Sequence, residues 1–322
     1  MERRNTLKLA AAAALTGSLA WAGPAVAQDT IKLGIVAHKT GALAGGEAVT
    51  QTPNVQLWVH NVNAAGGLDV GGNQMMIELI EYDDKTNPGE HIKAVNRLLN
   101  QDQVNFVVAP YGTGFNIAAA PIYGKSGIPM VSVSAITDKV DELTTSFPNL
   151  FFTLGTTTAF VEGVRDVLVE QRDAGAIGNK VAMVNVADAF GIELADVGRE
   201  LLTEAGFELV YDKSYPLGTP DLSPVMKGAK ASEPDAFVAW SYPPDSFGLA
   251  EQAIIEDLDV SVYYSAVATS VPAFFGAYGS KIDNVLGAGG TNVDDPLIAA
   301  YRADHEAVTG EVADYWASAN TY

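Results

Sequence analysis

Residues 106–135 read FVVAPYGTGFNIAAAPIYGKSGIPMVSVSA. Two short apolar runs, 106–109 and 128–133, bracket a stretch rich in Gly and Ala. Gly112-Thr113-Gly114 stands where the first run ends and a helix over 115–126 should begin. A strand that leads through glycines into a bare helix N-terminus leaves amide N–H groups unpaired and a partial positive charge, a setting that favours an anion. Working outward, the same alternation recurs. Strands are expected at 31–37, 75–82, 104–109 and 129–133, with helices at 48–65, 89–100 and 115–126. Strands this apolar, each followed by a helix, argue for a parallel sheet covered on both faces. Residues 138–147 read as an irregular connector, after which the pattern restarts. Strands are expected at 180–186, 208–211, 236–240 and 260–264, between helices at 159–174, 191–205, 222–231 and 247–257. The expected fold class is therefore α/β, with two doubly wound parallel-sheet lobes rather than one long sheet. Residues 28–150 and 291–322 form lobe one and residues 151–290 lobe two. In parallel sheets ligands lie beyond the carboxyl ends of strands, so two facing sheets make a cleft suited to a small molecule.

The chain has 322 residues, 48% of them hydrophobic and 18% charged, the balance of a globular protein. Arg3, Arg4 and Lys8 precede an apolar run over 9–21, and an A-x-A-like end falls at Ala27. This is the pattern of an export signal, Sec or twin-arginine, cleaved after Ala27. Loss of residues 1–27 would leave a net charge of −22, which excludes a nucleic-acid footprint. With no cysteine, disulfides, thiolate metal sites and cysteine nucleophiles are excluded.

Catalytic patterns are missing. His38, His60, His91 and His305 stand in no metal-ligand spacing and read as surface or helix-face residues. There is no G-x-S-x-G elbow and no Walker A sequence. Gly287–Asn292 (GAGGTN) is a fragment of a dinucleotide fingerprint with no suitable helix after it, and reads as a turn. Asp83 and Asp84 are adjacent, and neighbours on a strand point to opposite faces, so an acid/base pair is not supported. No enzyme, cofactor or metal site is expected.

Four blocks in order, IKLGIVAHKTGALAGGE, AGGLDVGGNQMMIELIEYDDKTNPGEHIKAVNRLL, the opening stretch and PLGTPDLSPVMKGAKASEPDAFVAW, resemble the periplasmic substrate-binding proteins of branched-chain amino acid ABC transporters. The resemblance covers roughly residues 30–320 and implies the type I, leucine-binding-protein-like fold. Members of that family continue past the point where this sequence stops, so a late helix and final strand of lobe one are expected to be missing. The resemblance also implies a site. Thr113 matches the hydroxyl residue that binds a ligand carboxylate, Gly114 offers a backbone N–H, and Ser134 takes the matching place after the fourth strand. Tyr111, Phe190 and Tyr242 match or reach aromatic positions over the ligand.

One departure concerns the ligand's ammonium. The family's acid aligns with Val267 and its hydroxyl partner with Ile136, one residue from Thr137. A buried ammonium without a counter-charge costs several kcal/mol, roughly the whole of micromolar affinity. The expectation is thus a carboxylate or amide ligand with an apolar or aromatic body and no α-ammonium. Asp245 is the acid that could overturn it. The implied function is an exported, monomeric solute-binding protein that closes by hinge motion and delivers its ligand to a membrane permease. The alternative is a ligand-sensing receptor or regulator of the same fold, related to amide sensors. A third reading, a hydrolase using Asp83 or Asp84, lacks both nucleophile and base.

Overall fold

A computed structural model describes residues 30–281 and 284–322. The expected export signal lies outside the described residues. Two sheets organise the chain. The first carries β1 (Thr30–Ala37), β2 (Leu68–Val70), β3 (Asn73–Asp83), β4 (Phe106–Val108), β5 (Met130–Ser132) and β6 (Leu150–Phe152) in the order β2-β3-β1-β4-β5-β6. The second carries β7 (Lys180–Val186), β8 (Glu208–Tyr215), β9 (Ala236–Trp240), β10 (Val262–Ser265) and β11 (Val285–Leu286) in the order β11-β10-β9-β7-β8. All pairings are parallel except the β2–β3 edge hairpin.

The helices are α1 (Ala44–Thr50), α2 (Thr52–Ala64), α3 (Pro88–Arg97), α4 (Thr113–Ser126), α5 (Val140–Ser146), α6 (Thr157–Asp173), α7 (Ala189–Glu204), α8 (Ser223–Ala231), α9 (Pro243–Ile255), α10 (Pro272–Tyr278), α11 (Pro296–Thr309) and α12 (Ser318–Thr321). Two expectations are corrected. The helix expected over 48–65 is two helices broken at Gln51 (φ −121°, ψ −71°). Pro53 fits the break, because it has no N–H to bond backwards across Gln51 and is well placed in the first turn of the second helix. The stretch 138–147, expected to be irregular, holds α5 and leads into β6, a sixth strand of the first sheet paired through Met130–Leu150 and Val131–Phe151. The lobe boundary expected at Phe151 therefore falls inside that strand.

Chain order places the cleft. After β3 the chain crosses to the other side of β1, so the first sheet's switch point lies between β1 and β4. In the second sheet it lies between β7 and β9. Loops leaving these four strands splay apart and open a crevice at each carboxyl edge. The chain passes to the second lobe after β6 and returns after β11, and α11 packs on α2 of the first lobe.

The two sheets are not equally covered. β7 and β9 are buried on both faces, with Met183, Phe237 and Trp240 fully enclosed. On the first sheet, Phe106, Val131 and Phe151 share one exposed face, continuous with an apolar groove of about 360 Å³ lined by Leu33, Trp58, Val108 and Tyr322 among others. Coverage on both faces, expected from the apolar strands, is incomplete here. Among the described residues no helix is long and apolar enough to cross a membrane, and no His, Cys, Asp and Glu cluster could hold a metal ion.

Candidate functional site

The first wall of the cleft is the loop from β4 into α4. Gly112 is the N-cap of α4 at φ 83°, a left-handed angle that favours glycine, and a Cβ there would lie 3.2 Å from the Tyr242 hydroxyl. Side chains wire this loop. Gln51 donates to the Ala109 carbonyl. Asn116 Nδ2 donates to the Pro110 and Gly112 carbonyls at 2.6 and 2.9 Å. Ser134 Oγ donates to Pro110 O at 3.1 Å and accepts from Gly112 N at 3.2 Å. His38 Nε2 lies 2.9 Å from Tyr111 O.

The Thr113 hydroxyl is committed as well. It donates to Ile136 O at 3.2 Å and accepts from Ile136 N at 3.1 Å, wholly buried. Its single hydrogen is therefore used. What remains for an anion at this wall is the N-terminus of α4, which has no side-chain cap.

The second wall comes from β7 and β9. Asp188 caps α7, accepting from Gly191 N at 3.0 Å, while its other oxygen accepts from Tyr242 Oη at 2.9 Å. Phe190 stacks on Tyr242 with ring centroids 4.8 Å apart, and Tyr111 reaches the same ring at 5.9 Å from the first lobe. Asp245, in the first turn of α9, is 5% exposed and its Oδ2 has no partner. Glu47, on α1, is equally enclosed, with Oε2 unpaired.

Burial pushes Asp245 up to about 7, with the nearby Asp188 adding to the shift. Burial likewise pushes Glu47 up to about 7, against the bond from Thr52 and the field of His38. Asp188 is raised by burial in spite of its bonds to Gly191 and Tyr242. The Tyr111 hydroxyl is raised by burial and then by Asp314, Glu47, Asp188 and Asp245, which places four carboxylates around one ring. None of the described lysines and arginines is buried. The buried groups at the cleft are thus acidic and aromatic, with His38 behind the first wall.

The lobes touch across it. Gly114 faces Ala189, and Gly45 faces Pro244, closely enough that an added Cβ would meet them at 3.5 and 3.2 Å. Glu193 of α7 takes bonds from Thr137 Oγ1 at 2.9 Å and Asp138 N at 2.7 Å. Leu43, Tyr111 and Ile136 belong to the same apolar cluster as the core of the second lobe.

Of the sequence-derived residues, Tyr111, Thr113, Gly114, Ser134, Phe190 and Tyr242 stand at or behind the two walls. Val267 is buried at the end of β10 within the second lobe's core, and Ile136 is buried where the lobes meet. Thr137 is taken up by Glu193. Sequence reasoning passed over Glu47, Asp188 and Asp314; Asp188 carried a legible signal, an Asp at a helix start after a β-strand. The surface reading of the histidines is corrected. His38, His91 and His305 are fully buried, and only His60 is exposed. His38 and His91 are enclosed because both bind Asp84, which offsets much of the cost of burying them, although His91 Nε2 has no partner. Asp83 instead turns to Thr40.

Two parallel-sheet lobes, with acids and aromatic rings gathered where their elements meet, define a two-lobed α/β protein. The sequence profile of the periplasmic binding protein family matches residues 30–322, and the chain belongs to that family. It is 25% identical over 247 residues to the Leu/Ile/Val-binding protein homolog 7 of Brucella abortus, covering 74% of this chain and 59% of that one. It is 30% identical over 242 residues to the Leu/Ile/Val-binding protein BraC3 of Rhizobium johnstonii, covering 74% and 62%. The matches thus span less than two thirds of these relatives' length.

Among solved structures, the substrate-binding protein LivJ of Streptococcus pneumoniae, in complex with isoleucine, superposes with a TM-score of 0.76. The two are 24% identical, over 91% of this chain and 81% of that one. A solute-binding protein of an R. palustris ABC transporter, in complex with benzoate, superposes at 0.74 and 19%, over 89% and 76%. These likenesses establish the type I periplasmic binding fold. The relatives are binding proteins, not enzymes.

Proposed function

We propose that this chain is an exported solute-binding protein of an ABC transporter, and that its ligand is a small molecule bearing a protonated amine, an apolar amino acid in the first instance. The observation that carries this reading is Asp245, a 5%-exposed carboxylate with an unpaired oxygen beside Asp188 and the Tyr242 ring. A buried acid without a counter-charge is costly, and an ammonium seated between Asp245 and Asp188 removes that cost. Tyr111, Phe190 and Tyr242 supply apolar area and ring faces that attract cations. The N-terminus of α4 supplies amide donors for a carboxylate at the other end. The Leu/Ile/Val names of the two curated relatives support the same ligand class. This reading departs from the expectation of a ligand without an ammonium, because the acid comes from α9 and α7 rather than from the strand end at Val267.

The test is thermal stabilisation by three matched compounds at pH 8: leucine, 4-methylpentanoate and 3-methylbutylamine. Leucine is expected to raise Tm most, the amine less, and the deaminated acid not at all. Stabilisation by 4-methylpentanoate alone would remove the ammonium from the proposal.

A further inference from the structure

We propose that His38 is a positioning residue for the ligand loop: a buried imidazolium held between the Asp84 carboxylate and the Tyr111 carbonyl, which keeps residues 110–113 in shape while protonated and releases them on losing its proton. The inference rests on the reading above only in taking this loop as a wall of the ligand site.

The protonation state follows from the partners. His38 Nε2 lies 2.9 Å from the Tyr111 carbonyl, which can only accept, so this nitrogen carries a hydrogen. His38 Nδ1 lies 2.6 Å from Asp84 Oδ1. That carboxylate also accepts from Thr86 N at 2.8 Å on Oδ1 and meets His91 Nδ1 at 2.7 Å on Oδ2. Burial alone would raise the Asp84 acid, but its bonds from His38, His91 and Thr86 hold it below its ordinary value. Asp84 is therefore an acceptor, and both ring nitrogens of His38 donate.

Phe115 seals the assembly, its ring edge-on to His38 at 4.4 Å and to His91 at 5.2 Å. The charged and titratable groups facing His38 are Asp84 from the end of β3, His91 from α3 across that carboxylate, Glu47 from α1, and the Tyr111 ring at 6.4 Å. Burial opposes protonation of His38, and the bond and charge of Asp84 followed by Glu47 outweigh it, so the ring titrates above its ordinary 6.5.

What singles out His38 is the company it keeps. The other side chains bonded to this loop are Gln51, Asn116, Ser134 and Thr113, and none of them titrates. One ionisable group thus joins the ends of β1 and β3 to the ligand wall. Deprotonation leaves the Tyr111 carbonyl or the Asp84 carboxylate without its donor, since a neutral imidazole has one hydrogen for two acceptors. Ligand capture then weakens as pH rises through the His38 titration.

The experiment needs no ligand, so it can fail or succeed separately from the proposed function. Ring nitrogen NMR on uniformly labelled protein should show both nitrogens of His38 protonated at pH 7. Hydrogen exchange, corrected for intrinsic rates, should show protection of the Gly112, Asn116 and Ile136 amides dropping tenfold or more as pH passes the His38 titration above 6.5. In His38→Gln this step should vanish with protection low throughout. In His91→Gln, which leaves Tyr111 untouched, the step should persist. A neutral His38 ring at pH 7, or unchanged protection in His38→Gln, would overturn the proposal. Should His38→Gln fail to fold, the wild-type spectra and exchange profile still decide it.

Discussion

The two walls of the cleft are built on opposite terms. On the first lobe, Gln51, Asn116, Ser134, Thr113 and His38 each donate to a backbone carbonyl and so hold the loop, while Gln51 Oε1, Asn116 Oδ1 and Glu47 Oε2 are left unpaired behind it. On the second lobe, Asp245 is left with an unpaired oxygen near Asp188, against aromatic rings. A wall whose loop is held by its own side chains offers a ligand chiefly the free N–H groups of its helix start. An unsatisfied wall stores unfavourable charge that a ligand can relieve. The difference teaches that this cleft is pre-shaped on one side and chemically demanding on the other.

Removing the demand should have the largest effect. Asp245→Asn is expected to weaken an amine ligand by about 2–5 kcal/mol, the usual loss when one partner of a buried charge pair is removed. The same change should stabilise the ligand-free protein at pH 8, because a carboxylate no longer has to ionise in a buried place. Calorimetric titration with leucine and a thermal scan without ligand check both arms. Equal affinity in the variant would break the comparison.

Distorting the shaped wall comes next. Gly112→Ala should cost about 1–3 kcal/mol of stability, because alanine is strained at φ 83° and its methyl meets the Tyr242 hydroxyl. Urea unfolding measures it, and an unchanged midpoint would show that the loop does not need its glycine.

The acids also set a pH dependence. Asp245 and Glu47 hold protons more tightly when folded, their ordinary values of 3.8 and 4.5 being raised to about 7. The folded state therefore binds more protons than the unfolded state between those limits. Their contribution to stability is full below pH 3.8 and is lost as pH rises through about 7. An ammonium ligand should show the reverse trend, gaining affinity from pH 5 as Asp245 ionises around 7, until loss of the His38 proton, which titrates above 6.5, opposes the gain. Denaturant unfolding and ligand titration between pH 5 and 8 check the two signs.

Thr113→Ala sharpens the comparison at the small end. Because the hydroxyl is bound to Ile136, its loss should cost about 0.5–1.5 kcal/mol of stability, with any loss of affinity following from the loosened loop. A larger effect on affinity than on stability would mean that the hydroxyl turns to the ligand after all. Thr137→Val, which removes one bond to Glu193 across the lobes, should cost less still. Its mark would be a slightly larger radius in small-angle scattering.

The fold was legible because its signals are local. Apolar strand runs at 31–37 and 180–186, each followed by a helix, can be read without knowing any neighbour. Gly112-Thr113-Gly114 announced a bare helix start in the same way. The break at Gln51 and the sixth strand after Phe147 were missed because a proline's missing N–H in a first turn and a three-residue strand leave little periodicity to read. The histidines were misjudged because their burial depends on partners elsewhere in the fold, Asp84 for His38 and His91 and the Glu311 carbonyl for His305.

By itself, then, the sequence determined two parallel-sheet lobes and a glycine-led helix start after β4, since each is written in the residues of one element. Tertiary structure alone decided the charge of the cleft. Glu47, Asp188, Asp245 and Asp314 are far apart in the chain and ordinary as helix-end or turn acids. Glu47 and Asp314 from the first lobe and Asp188 and Asp245 from the second act on Tyr111 together only because the chain packs these elements against one another. Periodicity reports which side of its own element a residue takes; electrostatics depends on distances between elements, and those exist only once the lobes have closed.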